Sequence, residues 1–302
     1  MEESKDFNIQ ELHTVQLEIL KEFDRVCKKY GLRYFLAYGT LLGAIRHNGF
    51  IPWDDDIDTM MPYDDYQRLL SIDPSEWKKP YFVQNENTDP DYGACFTKIR
   101  NSETTLIVEQ LAHMDINHGV DIDVYPMIHL SDDLKMRKQQ FRQTLVYMLL
   151  RVGEPPRNHG KIMYLGGKLI LGFLSPKNRY KIEKKLLSKI TRYQNLDTKE
   201  SYVISGNLET MYQLLENNWF QSYVLHKFED CEFPIPSGAK EWLAVRYGEN
   251  YMQLPPKELQ GFKLDTFVKV DLHNSYKKYK GEYYCTGKKK KKVRNFRWVK
   301  FS

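Results

Sequence analysis

Hydrophobic positions recur every three or four residues from Ile9 to Tyr30, at Ile9, Leu12, Val15, Ile19, Phe23, Val26 and Tyr30. That spacing places them on one face of a helix. Gly31 then supplies the residue that most readily takes the left-handed conformation ending a helix. The apolar run Tyr34–Ala37 suits a short buried strand, Gly39-Thr40 closes it, and LLGAIR reads as a short helix. Pro52 keeps Gly49–Trp53 out of a helix. Residues 56–61 suit a strand ended by Pro62, followed by a helix over Tyr63–Leu70. Further strands are expected at Tyr81–Gln84, Ala94–Ile99, Thr105–Val108 and Val120–Val124. Beyond residue 133 helical spacing dominates, at 133–151, 161–174 and 177–193. An extended stretch at 201–204 and a helix at 237–247, after Pro234 and Pro236, complete the pattern. The fold class is therefore α/β over roughly residues 1–130 and mainly helical over 131–280, the second part completing the same unit, with a basic aromatic tail over 281–302.

Composition narrows the class. A chain of 302 residues, 41% hydrophobic and 28% charged, has material for a sizeable core and is neither disordered, collagen-like nor a coiled coil. No apolar run approaches the ~18 residues of a membrane span. The polar start MEESKDFNIQ lacks the basic and apolar regions of a secretion signal. Cysteines at 27, 95, 231 and 285 form no CxxC pair, so free thiols in a cytoplasmic protein are expected rather than zinc ligands or a disulfide framework. The net charge is +5, but residues 281–302 hold eight Lys or Arg against the single acid Glu282. The remainder is slightly acidic, so the partner-seeking positive charge lies in the tail.

The sharpest local feature is GFIPWDDDIDTMMP, with Asp54, Asp55, Asp56 and Asp58 inside five positions. On a strand Asp56 and Asp58 share a face, about 6–7 Å apart at the backbone. Two such carboxylates repel unless a cation sits between them, and Mg²⁺ commonly bridges carboxylates to substrate phosphates. A solvated acidic loop is the alternative, weakened by the apolar Ile57, Met60 and Met61. Upstream, Gly39-Thr40 before a helix offers free N–H groups to a phosphate, with Arg46 and His47 able to reach the same anion. An ordinary helix cap explains Gly-Thr equally well. In HGVDIDVYP, Asp121 and Asp123 again lie two apart; one can supply a third metal ligand or a general base, or simply end a strand.

YGTLLGAIRHNGFIPWDDDID, then DIDVYP, then YGENYMQLPPKE, in that order, closely resemble the LicD family of phosphotransferases, a group that includes fukutin and fukutin-related protein. The resemblance spans roughly residues 10–260 and implies a nucleotidyltransferase-like mixed β-sheet flanked by helices. It places Gly39 and Thr40 at the family's Gly-Ser-type turn, Asp56 and Asp58 at its paired metal-binding acids, and Asp54 behind them as a supporting acid. Asp123, before Val124-Tyr125-Pro126, matches the third acid, while Asp121 stands where the family is often apolar. Lys98 and Arg100 match a basic pair that, with Arg46 and His47, would hold donor phosphates. The implied reaction moves a phosphoalcohol, phosphocholine first, from a CDP-linked donor to a hydroxyl of a cell-surface glycan or teichoic acid precursor, releasing CMP. Two Mg²⁺ ions, with Mn²⁺ as the substitute, would sit on Asp56, Asp58 and Asp123. Phosphoethanolamine, glycerol or ribitol phosphate and sugar phosphates are alternative cargoes. Nucleotidyl transfer and a silent glycan-assembly scaffold are alternative activities.

Glycan acceptors of this kind are often lipid-linked, which raises peripheral contact with the inner face of the plasma membrane. Residues 288–302 join a Lys run to Phe296, Trp298 and Phe301, a composition suited to anionic lipid. No nucleic-acid module accompanies that tail, so no specific nucleic-acid partner is expected. IMYLGGKLILGFL at 162–174 is apolar but too short to span; it reads first as a core helix, with an interfacial helix as the alternative.

Overall fold

The computed structural model describes residues 8–155, 160–260 and 266–286; the expected lipid-binding tail at 288–302 lies outside the described residues. The chain runs α1 (Ile9–Tyr30), β1 (Phe35–Leu36), α2 (Tyr38–His47), β2 (Asp58–Pro62), α3 (Tyr63–Leu70), β3 (Tyr81–Gln84), β4 (Thr97–Asn101), β5 (Thr105–Val108) and β6 (Val120–Leu130). It continues through α4 (Leu134–Val152), α5 (Gly160–Phe173), α6 (Pro176–Ile190), β7 (Glu200–Val203), α7 (Leu208–Tyr212), β8 (Leu215–Glu216), β9 (Tyr223–Phe228), β10 (Cys231–Pro236), α8 (Ala239–Tyr247) and β11 (Phe267–Asp271).

The architecture is mixed α/β. The main sheet has the order β1-β2-β6-β4-β3, and β7 and β8 extend it beside β6. β2 and β6 are parallel; the other pairs are antiparallel. One edge of β6 is shared, with β4 pairing Val120–Val124 and β7 pairing Met127–Leu130. Pro126, which has no N–H to give, falls in the gap between those partners.

α1 begins where the Asn8 side chain accepts from Gln10 N at 2.9 Å and ends at Gly31, with φ 60°. Its apolar stripe, Leu12, Ile19, Leu20, Phe23 and Val26, is fully buried in one core with Val120, Ile122 and Val124 of β6 and Ile99 of β4. Because side chains alternate along a strand, this leaves Asp121, Asp123, Lys98 and Arg100 on the other face of the sheet. The same core takes in Trp219, Phe228, Phe233 and Trp242, so residues far along the chain close over the first half.

Some expectations are displaced. Gly39 and Thr40 lie inside the first turn of α2 rather than before it. The acidic strand begins at Asp58, so Asp56 belongs to the lead-in loop rather than sharing a strand with Asp58. Helices dominate only residues 134–190; beyond them five short strands intervene, and Pro234 and Pro236 lie within β10. The apolar segment at 162–174 is not a core helix: α5 buries only Gly167 and Leu171. All four cysteines are free. Among the described residues no helix is long and apolar enough to cross a membrane.

Candidate active site

The cross-strand register puts Asp58, Asp123, Lys98 and Gln84 in one row across β2, β6, β4 and β3. Adjacent positions in such a row are about 5 Å apart, so carboxylate, carboxylate and ammonium meet directly. Lys98 Nζ lies 2.5 Å from Asp123 Oδ1 and also pairs with Asp121. Burial works against the Lys98 charge, but Asp121 and Asp123 outweigh it and hold its pKa above the ordinary value. The Tyr125 hydroxyl donates to the other oxygen of Asp123 at 2.8 Å. Burial still leaves the Asp123 pKa raised despite Lys98.

Asp121 answers to different partners. Burial pushes its pKa up, yet Arg100 and then Lys98 bring it below the usual carboxylate value. Arg100 is itself buried, donating to Gln84 Oε1 and to Gly119 O, each at 2.5 Å. It therefore braces the sheet beneath Asp121 instead of reaching into open space.

On the β2 side carboxylates crowd together, and Lys98 only partly offsets their repulsion at Asp58. Asp58 Oδ1 is buried with no hydrogen-bond partner. Burial, then Asp123 and Asp54, hold the Asp58 pKa well above normal. Asp56 sits at the exposed rim. The protein packed around its carboxylate, then Asp58, Asp54, Asp55 and Asp123, raise its pKa in the same direction. Asp54 is pushed up to about 7 by burial and then by Asp55. Among the described residues, the group of three whose carboxylate oxygens all lie within 4.8 Å of each other is Asp54, Asp55 and Asp56. That set differs from the expected Asp56, Asp58 and Asp123. An orphaned buried oxygen beside crowded acids is the donor chemistry of a hard divalent cation, so these residues fit Mg²⁺.

The acidic loop is held from three sides. From α1, His13 Nε2 donates to Asp54 O at 2.7 Å and Gln16 Nε2 to Asp55 O at 2.7 Å. From the turn after β9, Glu229 accepts from Phe50 N at 2.9 Å. From α2, the Thr40 hydroxyl accepts from Asp58 N at 2.8 Å. Gly39 leaves room for the Asp54 carboxylate: a Cβ there would stand 2.5 Å from Asp54 Oδ2, which would have to shift. Arg46, toward the far end of α2, donates to the carbonyls of Tyr251 (3.0 Å) and Gln253 (3.2 Å), pinning the YGENYMQ segment. His47 accepts from Arg46 Nε at 3.4 Å and meets Trp53 edge-on.

Aromatic rings crowd the same face. Tyr38 takes a left-handed φ of 43° at the start of α2, a conformation that costs a non-glycine residue energy and is frequent at functional sites. Its ring stands 5.8 Å from Tyr125 and 5.7 Å from Trp242. Phe96 lies 4.6 Å from Tyr125, with Lys98 Nζ 5.5 Å from its centroid. Arg246 lies over Tyr38 at 5.6 Å. α8 thus contributes Trp242 and Arg246, residues no motif singled out.

The site is thus a mixed sheet carrying neighbouring acids beside an aromatic wall. Residues 31–145 match the family described as LicD/FKTN/FKRP, nucleotidyltransferase domain. The chain is 30% identical over 267 residues to the lipopolysaccharide cholinephosphotransferase LicD of Haemophilus influenzae, covering 85% of this chain and 96% of that one. It belongs to the LicD family. Uncharacterized proteins of Rickettsia prowazekii and Rickettsia typhi share 35% and 36% identity over shorter stretches, 26% and 22% of this chain and 28% and 23% of theirs.

Proposed function

We propose that the protein is a metal-dependent phosphotransferase that moves phosphocholine from a CDP-linked donor to a hydroxyl of a glycan, releasing CMP. The observation that carries this reading is the buried, unpartnered Asp58 Oδ1 beside Asp123, facing an aromatic wall. The relative that spans nearly the whole chain is named for cholinephosphate transfer to lipopolysaccharide.

Asp56 and Asp58 would hold the cation, with Asp123 as third ligand or as base. A divalent cation, when bound, offsets charge on the donor diphosphate and on the leaving CMP. The acceptor oxygen attacks the phosphorus that bears choline, the bond to the bridging oxygen breaks, and CMP leaves with that electron pair. Asp123 takes the acceptor proton; burial makes it more basic than a solvated carboxylate. Lys98, drawn to Asp121 and Asp123, keeps two neighbouring carboxylates tolerable and can turn to a donor phosphate oxygen. Tyr38, Tyr125 and Phe96 offer π faces to a quaternary ammonium.

The test is a thermal-shift screen of nucleotide-linked donors with Mg²⁺, with and without EDTA. A metal-dependent rise with CDP-choline above that with CDP-ethanolamine or CDP-glycerol supports the assignment, since binding to the folded state alone stabilises it. No shift with any nucleotide contradicts it.

A further inference from the structure

We propose that α5 is an interfacial helix that seats the protein on an anionic lipid surface. This stands apart from the reaction assigned to Asp56, Asp58 and Asp123. In a globular protein the apolar stripe of a helix faces the core. In α5 it faces outward: Ile162, Leu165, Leu169 and Phe173, spaced by three, four and four, are 89%, 57%, 60% and 86% exposed. The buried side is Gly167 and Leu171, where a Cβ on Gly167 would stand 3.2 Å from Leu149 and Pro155. The helix is anchored by its small side and presents its greasy one. At fourteen residues it is about 21 Å long, too short to cross a bilayer but suited to lying in its surface.

Charge identifies the occupant. Residues 160–190 carry eight Lys or Arg against the single acid Glu183. Lys161 and Lys168 are exposed on α5, and Lys177, Lys181 and Lys185 on α6. An apolar stripe beside clustered lysines matches acyl chains beneath anionic headgroups. A second copy of the chain would bring the same positive charge against itself. Arg151, in the last turn of α4, donates to Tyr92 O (3.0 Å) and Ala94 O (2.9 Å), in the loop that runs into Phe96 and Lys98, and lies 3.8 Å from Glu183 of α6.

The experiment is flotation of the full-length chain with vesicles of phosphatidylcholine alone or mixed with phosphatidylglycerol. The protein is expected to float with the mixed vesicles. Leu165→Glu/Leu169→Glu should weaken binding by roughly tenfold or more, its exposed sites leaving the fold intact. Lys161→Gln/Lys168→Gln, which keeps the apolar stripe, should weaken binding to the mixed vesicles by roughly tenfold. Unchanged flotation of both variants would assign binding to another segment and overturn the proposal. So would absence of wild-type binding, or a dimer that Leu165→Glu/Leu169→Glu dissolves.

Discussion

The backbone N–H of Asp58 donates to the Thr40 hydroxyl at 2.8 Å, tying the first turn of α2 to the first residue of β2. The hydroxyl of the Gly-Thr turn thus sets where the acidic strand begins. Thr40→Val keeps the shape and removes the acceptor, leaving a partly buried N–H unsatisfied. A loss of about 1–3 kcal/mol in unfolding free energy is expected, with Thr40→Ser close to wild type. Denaturant titration of the three proteins checks this; equal stability of Thr40→Val would show the bond to be dispensable.

Gly39→Ala forces the Asp54 carboxylate to move, because the new Cβ would stand 2.5 Å from its Oδ2. The expected result is a fall in transfer kcat/KM on the order of tenfold to a hundredfold. Combined with Asp54→Ala, the glycine substitution should add almost nothing, and a double-mutant cycle measures that coupling. Additive losses would mean that Gly39 acts through something other than Asp54.

Lys98→Met strips the ammonium from Asp121 and Asp123 while keeping the length of the side chain. Breaking a buried pair on one side costs about 3–5 kcal/mol, so the melting temperature should drop sharply. A Tm within a degree or so of wild type would show that Lys98 is not needed to hold the row together.

His118 gives the fold an acid limit. It is 1% exposed, its Nε2 donates to Met114 O at 3.2 Å, and its ring lies 4.6 Å from Tyr284. Burial holds its pKa down to about 4, against 6.5 unfolded. The unfolded chain therefore binds the proton first, so this contribution is complete above about 6.5 and lost as pH falls toward 4, amounting to roughly 3 kcal/mol at most. His118→Gln should flatten the dependence of Tm on pH across that window; an unchanged profile would place the sensitivity elsewhere.

Legibility in the sequence followed the range of the interactions. α1 and α3 are readable because local periodicity and an adjoining Gly31 or Pro62 mark a boundary, and β3 and β5 because each is a short run rich in apolar and β-branched or aromatic residues. β6 was expected to stop at Val124, yet runs to Leu130, because its continuation depends on β7, some seventy residues away. The acids were visible as a motif. What holds them was not: His13, Gln16 and Glu229 act through contacts between distant segments, and a lone Gln on a helix carries no local signal. Lys98 and Arg100 looked equivalent at two-residue spacing, but their registers separate them, Lys98 opposite Asp123 and Arg100 opposite Asp121. The outward face of α5 was hidden for a related reason: apolar periodicity reveals a stripe but not what covers it.

The most direct test of the account is the identity of the transferred group. Phosphorus NMR would follow CDP-choline, Mg²⁺ and a lipopolysaccharide acceptor with wild-type protein and with Asp58→Asn. The account predicts that wild type converts the diphosphate signals to CMP and a new phosphodiester on the acceptor, and that Asp58→Asn leaves the diphosphate intact. Transfer of the nucleotide with release of phosphocholine, or full turnover by Asp58→Asn, would contradict it.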